Sequence, residues 1–514
     1  MEDSPLFSRL PNNNLGCLCC AHYCIIPPGK LGKCRARANV NGSPHFPAWG
    51  RYTLAVDPVE KKPLYHFLPG TSIFSYGTVG CNFSCQFCQN SSLSMWKLDI
   101  EDVGLLKEND VGRLKKVTPE QVVKAAIDNK CLSIASTYNE PTVTTEFSYQ
   151  VFKLAKEKGL RTVYVTNGYE SIECLEYLAP YLDAVNIDLK SFSDDFYLKI
   201  CGAHLQPVCD TIRRCYAMGI HTEVTTLVIP KNNDSNEELK QTAEFLASVG
   251  VDIPWHVSAY HDDYMFEGLG HTPLSTLKRA AEIGKRAGLL YIYIGNAQSP
   301  EERITKCPKC GEVLIDRVWF GATIRMKKGC CVKCGERIPG LFSDADHMNE
   351  KLIKIPQDLR TSVFVQEPSK MEIPSDVVIY ASNGGTAKRY AEMISSILSY
   401  PAIDIMSVDL KQMRKCKRII FVVATYGKGS PPPSAQMFWE MLKDESSDQL
   451  KGIKFAVMGC GSSSFPSSFC AFAHSLQERL AELGASSVTD LYERDEDNSD
   501  EGGLQSWMNS LNFQ

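Results

Sequence analysis

Cys81, Cys85 and Cys88 are spaced C-x3-C-x2-C, and thiolates at that spacing can hold an iron-sulfur cluster. Such clusters usually take four protein ligands, so a tight three-thiolate loop leaves one iron of a four-iron cluster open to an exchangeable ligand. That open position is where reaction chemistry can occur. A zinc clip would instead pair its cysteines as C-x2-C knuckles with a distant partner pair, which this loop lacks. A second set has that form: Cys307 and Cys310 with Cys331 and Cys334 give C-x2-C-x20-C-x2-C, and glycine follows each pair. Four tetrahedral thiolates make a closed structural site, and glycine-backed knuckles predict zinc ahead of an auxiliary iron-sulfur cluster. A third set, Cys17, Cys20, Cys24 and Cys34, is spaced C-x2-C-x3-C-x9-C. It predicts a metal site whose occupant stays open between zinc and an auxiliary 4Fe-4S cluster, with unligated thiols as the alternative. Cys19 and Cys330 are bystanders, and Cys131, Cys174, Cys201, Cys209, Cys215, Cys416, Cys460 and Cys470 are scattered, as small buried hydrophobes are.

These thiols need elements to position them. A chain of 514 residues is too long for one ordinary core and predicts about three or four domains. With 44% hydrophobic and 22% charged residues the composition is that of a globular protein. A net charge of -5 argues against a broadly basic nucleic-acid surface, though not against a local one. Met1-Glu2-Asp3-Ser4 begins no apolar leader, and no apolar run reaches membrane-spanning length, so no membrane partner is expected. About half of the 21 cysteines fall in metal-type sets that require free thiolates. A cytoplasmic, reducing setting follows.

Residues 1–68 are loop-rich around the N-terminal cysteines, and 301–345 form the small four-cysteine module. Between them, residues 69–300 alternate apolar strands (73–76, 134–137, 162–166, 184–189, 221–229, 255–260 and 290–294) with amphipathic helices. That alternation predicts a partial parallel α/β barrel. A polar stretch over 346–375 reads as a linker, and a doubly wound α/β domain occupies 376–514. Barrel ligands sit at the C-terminal ends of strands. Polar residues follow the apolar runs at those ends: the three cysteines, then Tyr138-Asn139-Glu140-Pro141, Thr166-Asn167-Gly168 and Asp188-Leu189-Lys190.

The cysteine loop at this place in a barrel resembles the radical S-adenosylmethionine (SAM) superfamily, in which the open iron chelates SAM. The resemblance to the branch that activates glycyl-radical enzymes implies that Glu140 binds the SAM amino group. It further implies that Asn167, Asp188 and Lys190 line the ribose and carboxylate region, with His261 near the nucleoside and Asn296 near the adenine. Thr225-Thr226 stands where those activases carry an arginine. The run from Asp57 to Gly70, with Gly80-Cys81-Asn82-Phe83 and Cys88-Gln89-Asn90, resembles the AmmeMemoRadiSam-system branch over about residues 15–345.

In the last domain, an apolar strand at 377–380 enters Ala381-Ser382-Asn383-Gly384-Gly385-Thr386, whose small residues open backbone amides and a helix N-terminus to a phosphate. This resembles the FMN-phosphate loop of flavodoxins. Two further loops, one with Thr425, Tyr426 and Gly427 and one with Gly461 and Phe465, resemble the FMN domains of diflavin reductases. The resemblance implies that Tyr426 and Phe465 stack on the flavin, and the other reading is a flavin-free docking domain. No nicotinamide-binding segment follows, so the flavin is expected to take electrons from another molecule. Together the domains imply a radical SAM enzyme with a fused flavodoxin-like electron donor and a substrate that is a small molecule, protein or RNA. Other readings are an RNA-modifying enzyme similar to the wybutosine-forming proteins, a glycyl-radical-enzyme activase, and a non-catalytic electron carrier.

Overall fold

The computed structural model describes residues 4–96, 114–266, 268–297, 301–318, 321–342, 373–382, 385–408, 410–426, 429–495 and 501–511. Asn383, Gly384, Gly427 and residues 346–372 of the linker expected over 346–375 lie outside the described residues. The chain divides into two units. One comprises Met1–Leu6, Leu18–Cys20 and Gly29–Val365; the other comprises Phe7–Cys17, Ala21–Pro28 and Gln366–Gln514.

The first unit is built on β1 (Arg51–Pro58), β2 (Ser72–Gly77), β3 (Ser133–Ser136), β4 (Arg161–Thr166), β5 (Ala184–Asp188), β6 (His221–Val228), β7 (Trp255–Ala259) and β8 (Ile292–Gly295). They lie side by side in that order, antiparallel for β1 against β2 and parallel from β2 to β8. Among the described residues the sheet does not close, so the partial barrel is an open parallel sheet. Parallel strands covered on both faces read as nearly continuous buried runs, and every residue of β3 and β7 is buried. Helices follow the strands and start where the sequence places caps. Thr118 accepts the Gln121 N–H at 3.3 Å while the Gln121 side chain accepts the Thr118 N–H at 2.9 Å, a reciprocal cap for Pro119–Asp128.

A buried carboxylate fastens the four-cysteine module to this sheet. Glu223 accepts the N–H groups of Tyr65 and His66 at 2.9 and 2.7 Å and the Nε2 contacts of His221 and His256 at 2.9 and 2.6 Å. His66 passes the network to Tyr293 at 2.6 Å, and Arg317 of the module donates to the Tyr65 carbonyl at 2.5 Å. A fully buried ion needs this many partners to persist.

The second unit holds β9 (Asp376–Ala381), β10 (Ala402–Asp404), β11 (Arg418–Ala424), β12 (Lys454–Gly461) and β13 (Tyr492–Asp495). The spatial order is β10-β9-β11-β12-β13, all parallel, the order of a flavodoxin-like sheet. Thr386–Leu398 and Glu501–Ser510 pack on one face, and Pro433–Lys443 and Ala471–Glu482 on the other. No helix among the described residues is long and apolar enough to cross a membrane.

Candidate functional site

The loop after β2 is fixed before its thiols matter. Gly77 has no room for a side chain, because a Cβ there would stand 2.2 Å from the Thr137 carbonyl oxygen. Gly80 adopts φ of +90°, and a Cβ there would meet the Cys34 carbonyl at 2.8 Å. Asn139 staples the loop from the end of β3, accepting the Thr78 N–H and donating to the Gly80 carbonyl, both at 2.9 Å. The Cys81 N–H donates to the Cys34 carbonyl at 3.2 Å. Asn82 accepts from the Asn167 amide at 2.7 Å, so the loop is also tied to the end of β4.

Cys81, Cys85 and Cys88 then face one cavity of about 480 Å³ that Glu140, Asn167 and Asp188 also line. Lys190 and Asn296 line it too. His261 stands apart from that lining, with its Nε2 3.1 Å from the Gln89 side chain, one residue past Cys88. Burial pushes the Cys81 and Cys88 thiols up, and for Cys85 the neighbouring Cys201 thiol adds to burial and comes first. Buried thiols that resist ionising alone suit a cation that stabilises them as thiolates. Three soft donors beside an open, polar-lined space fit a cluster with one free coordination position.

Glu140 is the best-held polar group of the cavity. Its carboxylate accepts the N–H groups of Asn167 and Thr142 at 2.8 and 3.0 Å and the Thr166 hydroxyl at 2.9 Å; the Thr142 hydroxyl bonds it as well. Burial raises its pKa, and the Thr166 hydroxyl also bonds a second carboxyl, Glu170, which burial and the Glu140 charge push up to about 8. Asp188 and Lys190 pair at 2.9 Å. Burial opposes the lysine charge, but Asp188 and then Cys85 outweigh it and hold Lys190 protonated.

Cys307, Cys310, Cys331 and Cys334 bring four sulfurs within 4.8 Å of one another. Each knuckle is a local turn. Gly311 N–H bonds the Cys307 carbonyl and Gly335 N–H the Cys331 carbonyl, both at 2.9 Å, with φ of +75° and +73° at the glycines. The N-terminal four are distributed differently. Cys17, Cys20 and Cys34 are buried and Cys24 is half-buried. Cys20 pairs by backbone with Glu170, and Cys34 with Cys81 as above.

In the second unit the three predicted loops leave the C-terminal ends of β9, β11 and β12, which are neighbours, so they share one edge of the sheet. Ser382 accepts the Gly385 N–H at 3.0 Å, and Gly385, at φ of +90°, caps the helix that begins at Thr386. Thr425 accepts the Phe472 N–H at 3.2 Å, and Tyr426 and Ser430 exchange backbone bonds at 2.8 and 2.9 Å. A Cβ on Gly461 would come within 3.0 Å of the Cys470 nitrogen. Phe465 is 67% exposed, apolar surface that a flavin ring would cover.

Several residues of the first site were given no role from the sequence: Asn139 and Thr166, named only as strand-end polar residues, hold the cysteine loop and Glu140; Thr142 and Glu170 were not picked out; and Cys201, expected to be a small buried hydrophobe, accepts the Ser84 N–H through its carbonyl. The strand-end position of Thr166 and Asn139 was a usable signal. Cys201 had none, because its neighbour is more than a hundred residues away.

Residues 75–246 match the radical SAM superfamily and residues 378–507 match flavodoxin. An uncharacterized protein of Methanocaldococcus jannaschii is 38% identical over 343 residues, covering 66% of this chain and 99% of its own. The sulfite reductase [NADPH] flavoprotein alpha-component of Thiocapsa roseopersicina is 31% identical over 119 residues, 22% of this chain. This chain spans about a quarter of that flavoprotein's length, 23%. A solved domain of a pyruvate-formate lyase-activating enzyme from Bacteroides vulgatus is 21% identical, covering 32% of this chain and 99% of its own, with a TM-score of 0.29.

Proposed function

From a chain that belongs to the radical SAM superfamily and carries a flavodoxin domain of its own, we infer an enzyme that cleaves SAM reductively with the flavodoxin domain as electron donor. The observation that carries this is one cavity lined by three buried or half-buried thiols together with Glu140, Asn167, Asp188 and Lys190. Cys81, Cys85 and Cys88 would hold a four-iron cluster, which would supply the electron for reductive cleavage of SAM.

The chain's own residues bind and orient. Glu140 offers the SAM ammonium a carboxylate held rigid by four donors. Lys190, kept charged by Asp188, suits a carboxylate, while Asn167 holds Asn82 and thereby the cysteine loop. A non-catalytic carrier would have no use for this cavity. Ser382, Gly385 and Thr386 would hold the FMN phosphate, and Tyr426 and Phe465 the flavin ring. A fused donor raises the effective concentration to the order of millimolar if the connection is flexible and of suitable reach. A flavin held there would draw its electrons from an external partner. The four-cysteine module would hold zinc. The free thiols that all of this requires fit a reducing, cytoplasmic setting.

Anaerobic reconstitution with iron, sulfide, SAM and reductant, followed by chromatography for 5'-deoxyadenosine, tests the reading. Product is expected in stoichiometric excess over the chain. A cluster-loaded protein that forms none would be a carrier.

A further inference from the structure

The cavity that the three thiols line has a second end. Lys61, Lys62, Pro63 and Tyr138 line it as well. β1 runs antiparallel to β2 and pairs Asp57 with Ile73 and Pro58 with Ser72, so the two lysines just after β1 follow the start of β2, whereas the cysteines follow its last residue, Gly77. Tyr138 spans the length between. A Cβ on Gly77 would stand 3.1 Å from the Tyr138 Cβ, while the Tyr138 hydroxyl donates to Asp57 at 2.7 Å. Its backbone is left-handed, at φ of +74°, a strained conformation for an aromatic residue and one that clusters at ligand sites.

The charges at this end do not balance. Asp57, buried, accepts from Lys62 at 2.7 Å and from Lys61 at 2.9 Å as well as from the Tyr138 hydroxyl. Burial opposes its charge, but these hydrogen bonds, that of Lys62 first, outweigh it and hold Asp57 ionised. Lys62 is buried with its ammonium 4.5 Å over the Tyr138 ring, and the Lys61 side chain is 55% exposed. Among the described residues neither lysine pairs with another carboxylate, so one positive charge is left over. Elsewhere in the lining Lys190 is taken by Asp188, and Glu140 carries the opposite sign. A single lysine would satisfy Asp57, and the second is more than a buried pair needs.

We propose that the lysine end of this cavity is the substrate subsite and that it takes an anionic oxygen group, a carboxylate or a phosphate, of a small substrate. The proposal rests on the reading of the thiol end as the SAM site. Lys61 supplies the donors, since Asp57 uses one of its three N–H groups, and Lys62 with Tyr138 supplies the fixed frame. A cavity of about 480 Å³ is of the size that one drug-sized ligand fills, so beside SAM only a small molecule enters whole. Anchored at the lysines, such a molecule would turn its other end toward the thiols without displacing the groups read for SAM.

The test is equilibrium binding of two probes, inorganic phosphate and acetate, to the reconstituted full chain in physiological salt, with SAM affinity measured in parallel by calorimetry. At least one probe should bind saturably, one per chain, and SAM should not displace it. K61Q should weaken that probe roughly tenfold, because a charge-assisted hydrogen bond is lost, while K61R should bind it nearly as the parent does. A preference for phosphate or for acetate names the group that the substrate carries. No saturable binding of either probe, or equal affinity in K61Q and the parent, would overturn the proposal. Displacement of the probe by SAM, with K61Q weakening both, would overturn it too, by assigning Lys61 to the SAM carboxylate. A parent that takes the probe but no SAM would keep the anion site and remove the reading of the thiol end, a failure distinct from these.

Discussion

Two cysteine sites in the first unit solve opposite problems. The Cys307, Cys310, Cys331 and Cys334 module gathers four sulfurs within 4.8 Å from two local turns, each closed by its own glycine. The Cys81, Cys85 and Cys88 loop offers three sulfurs and is held almost wholly by distant groups: the Cys34 carbonyl, Asn139, Asn167 and the Cys201 carbonyl. A closed tetrahedral set needs only itself, so it suits structure. An open set must be aimed at a second ligand, and its supports come from the ends of several strands because that is where the ligand will sit.

The comparison breaks most sharply at the open site. C81A, C85A or C88A should abolish 5'-deoxyadenosine formation, since each removes one of three protein ligands, and product formation by any of the three would sink the assignment. The closed site should behave in the opposite way. C310A or C334A should release one zinc per chain and expose residues 301–342 to proteolysis while leaving the catalytic cluster's spectrum intact. Iron and sulfide found at that module in place of zinc would erase the distinction between the two sites.

Glu140 sharpens the contrast from within the cavity. E140A should keep its iron but bind SAM about 1.5–3 kcal/mol more weakly, roughly ten- to a hundredfold in Kd by calorimetry, because a charge-assisted hydrogen bond is lost. Loss of iron in E140A would recast Glu140 as a support of the loop.

How much of this was legible depends on range. The gathering of the four-cysteine module could be read from spacing because all four cysteines and both turn glycines are local. The strands were legible as apolar runs: 162–166 was expected where Arg161–Thr166 lies, and 184–189 where Ala184–Asp188 lies. Polar residues at those strand ends gave Asn167 and Asp188. What spacing could not supply were partners brought together by the fold. Thr166 bonds Glu140 across 26 residues, and the Cys201 carbonyl accepts the Ser84 N–H across more than a hundred.

The flavodoxin-like edge stands between these extremes. Its loops are local in sequence, like the knuckles, yet they converge only because β9, β11 and β12 are parallel neighbours. Tyr426 is fixed by the backbone pair with Ser430, so its ring can be tested without moving the loop. Y426A should weaken FMN binding by about 0.5–1.5 kcal/mol, roughly two- to tenfold in Kd, if stacking is what it contributes. Y426F, which keeps the ring and loses the hydroxyl, should bind FMN as the parent does. Fluorescence titration of the flavin-stripped full chain measures both. A Y426F protein as weak as Y426A would assign the contribution to the hydroxyl and leave stacking to the exposed Phe465.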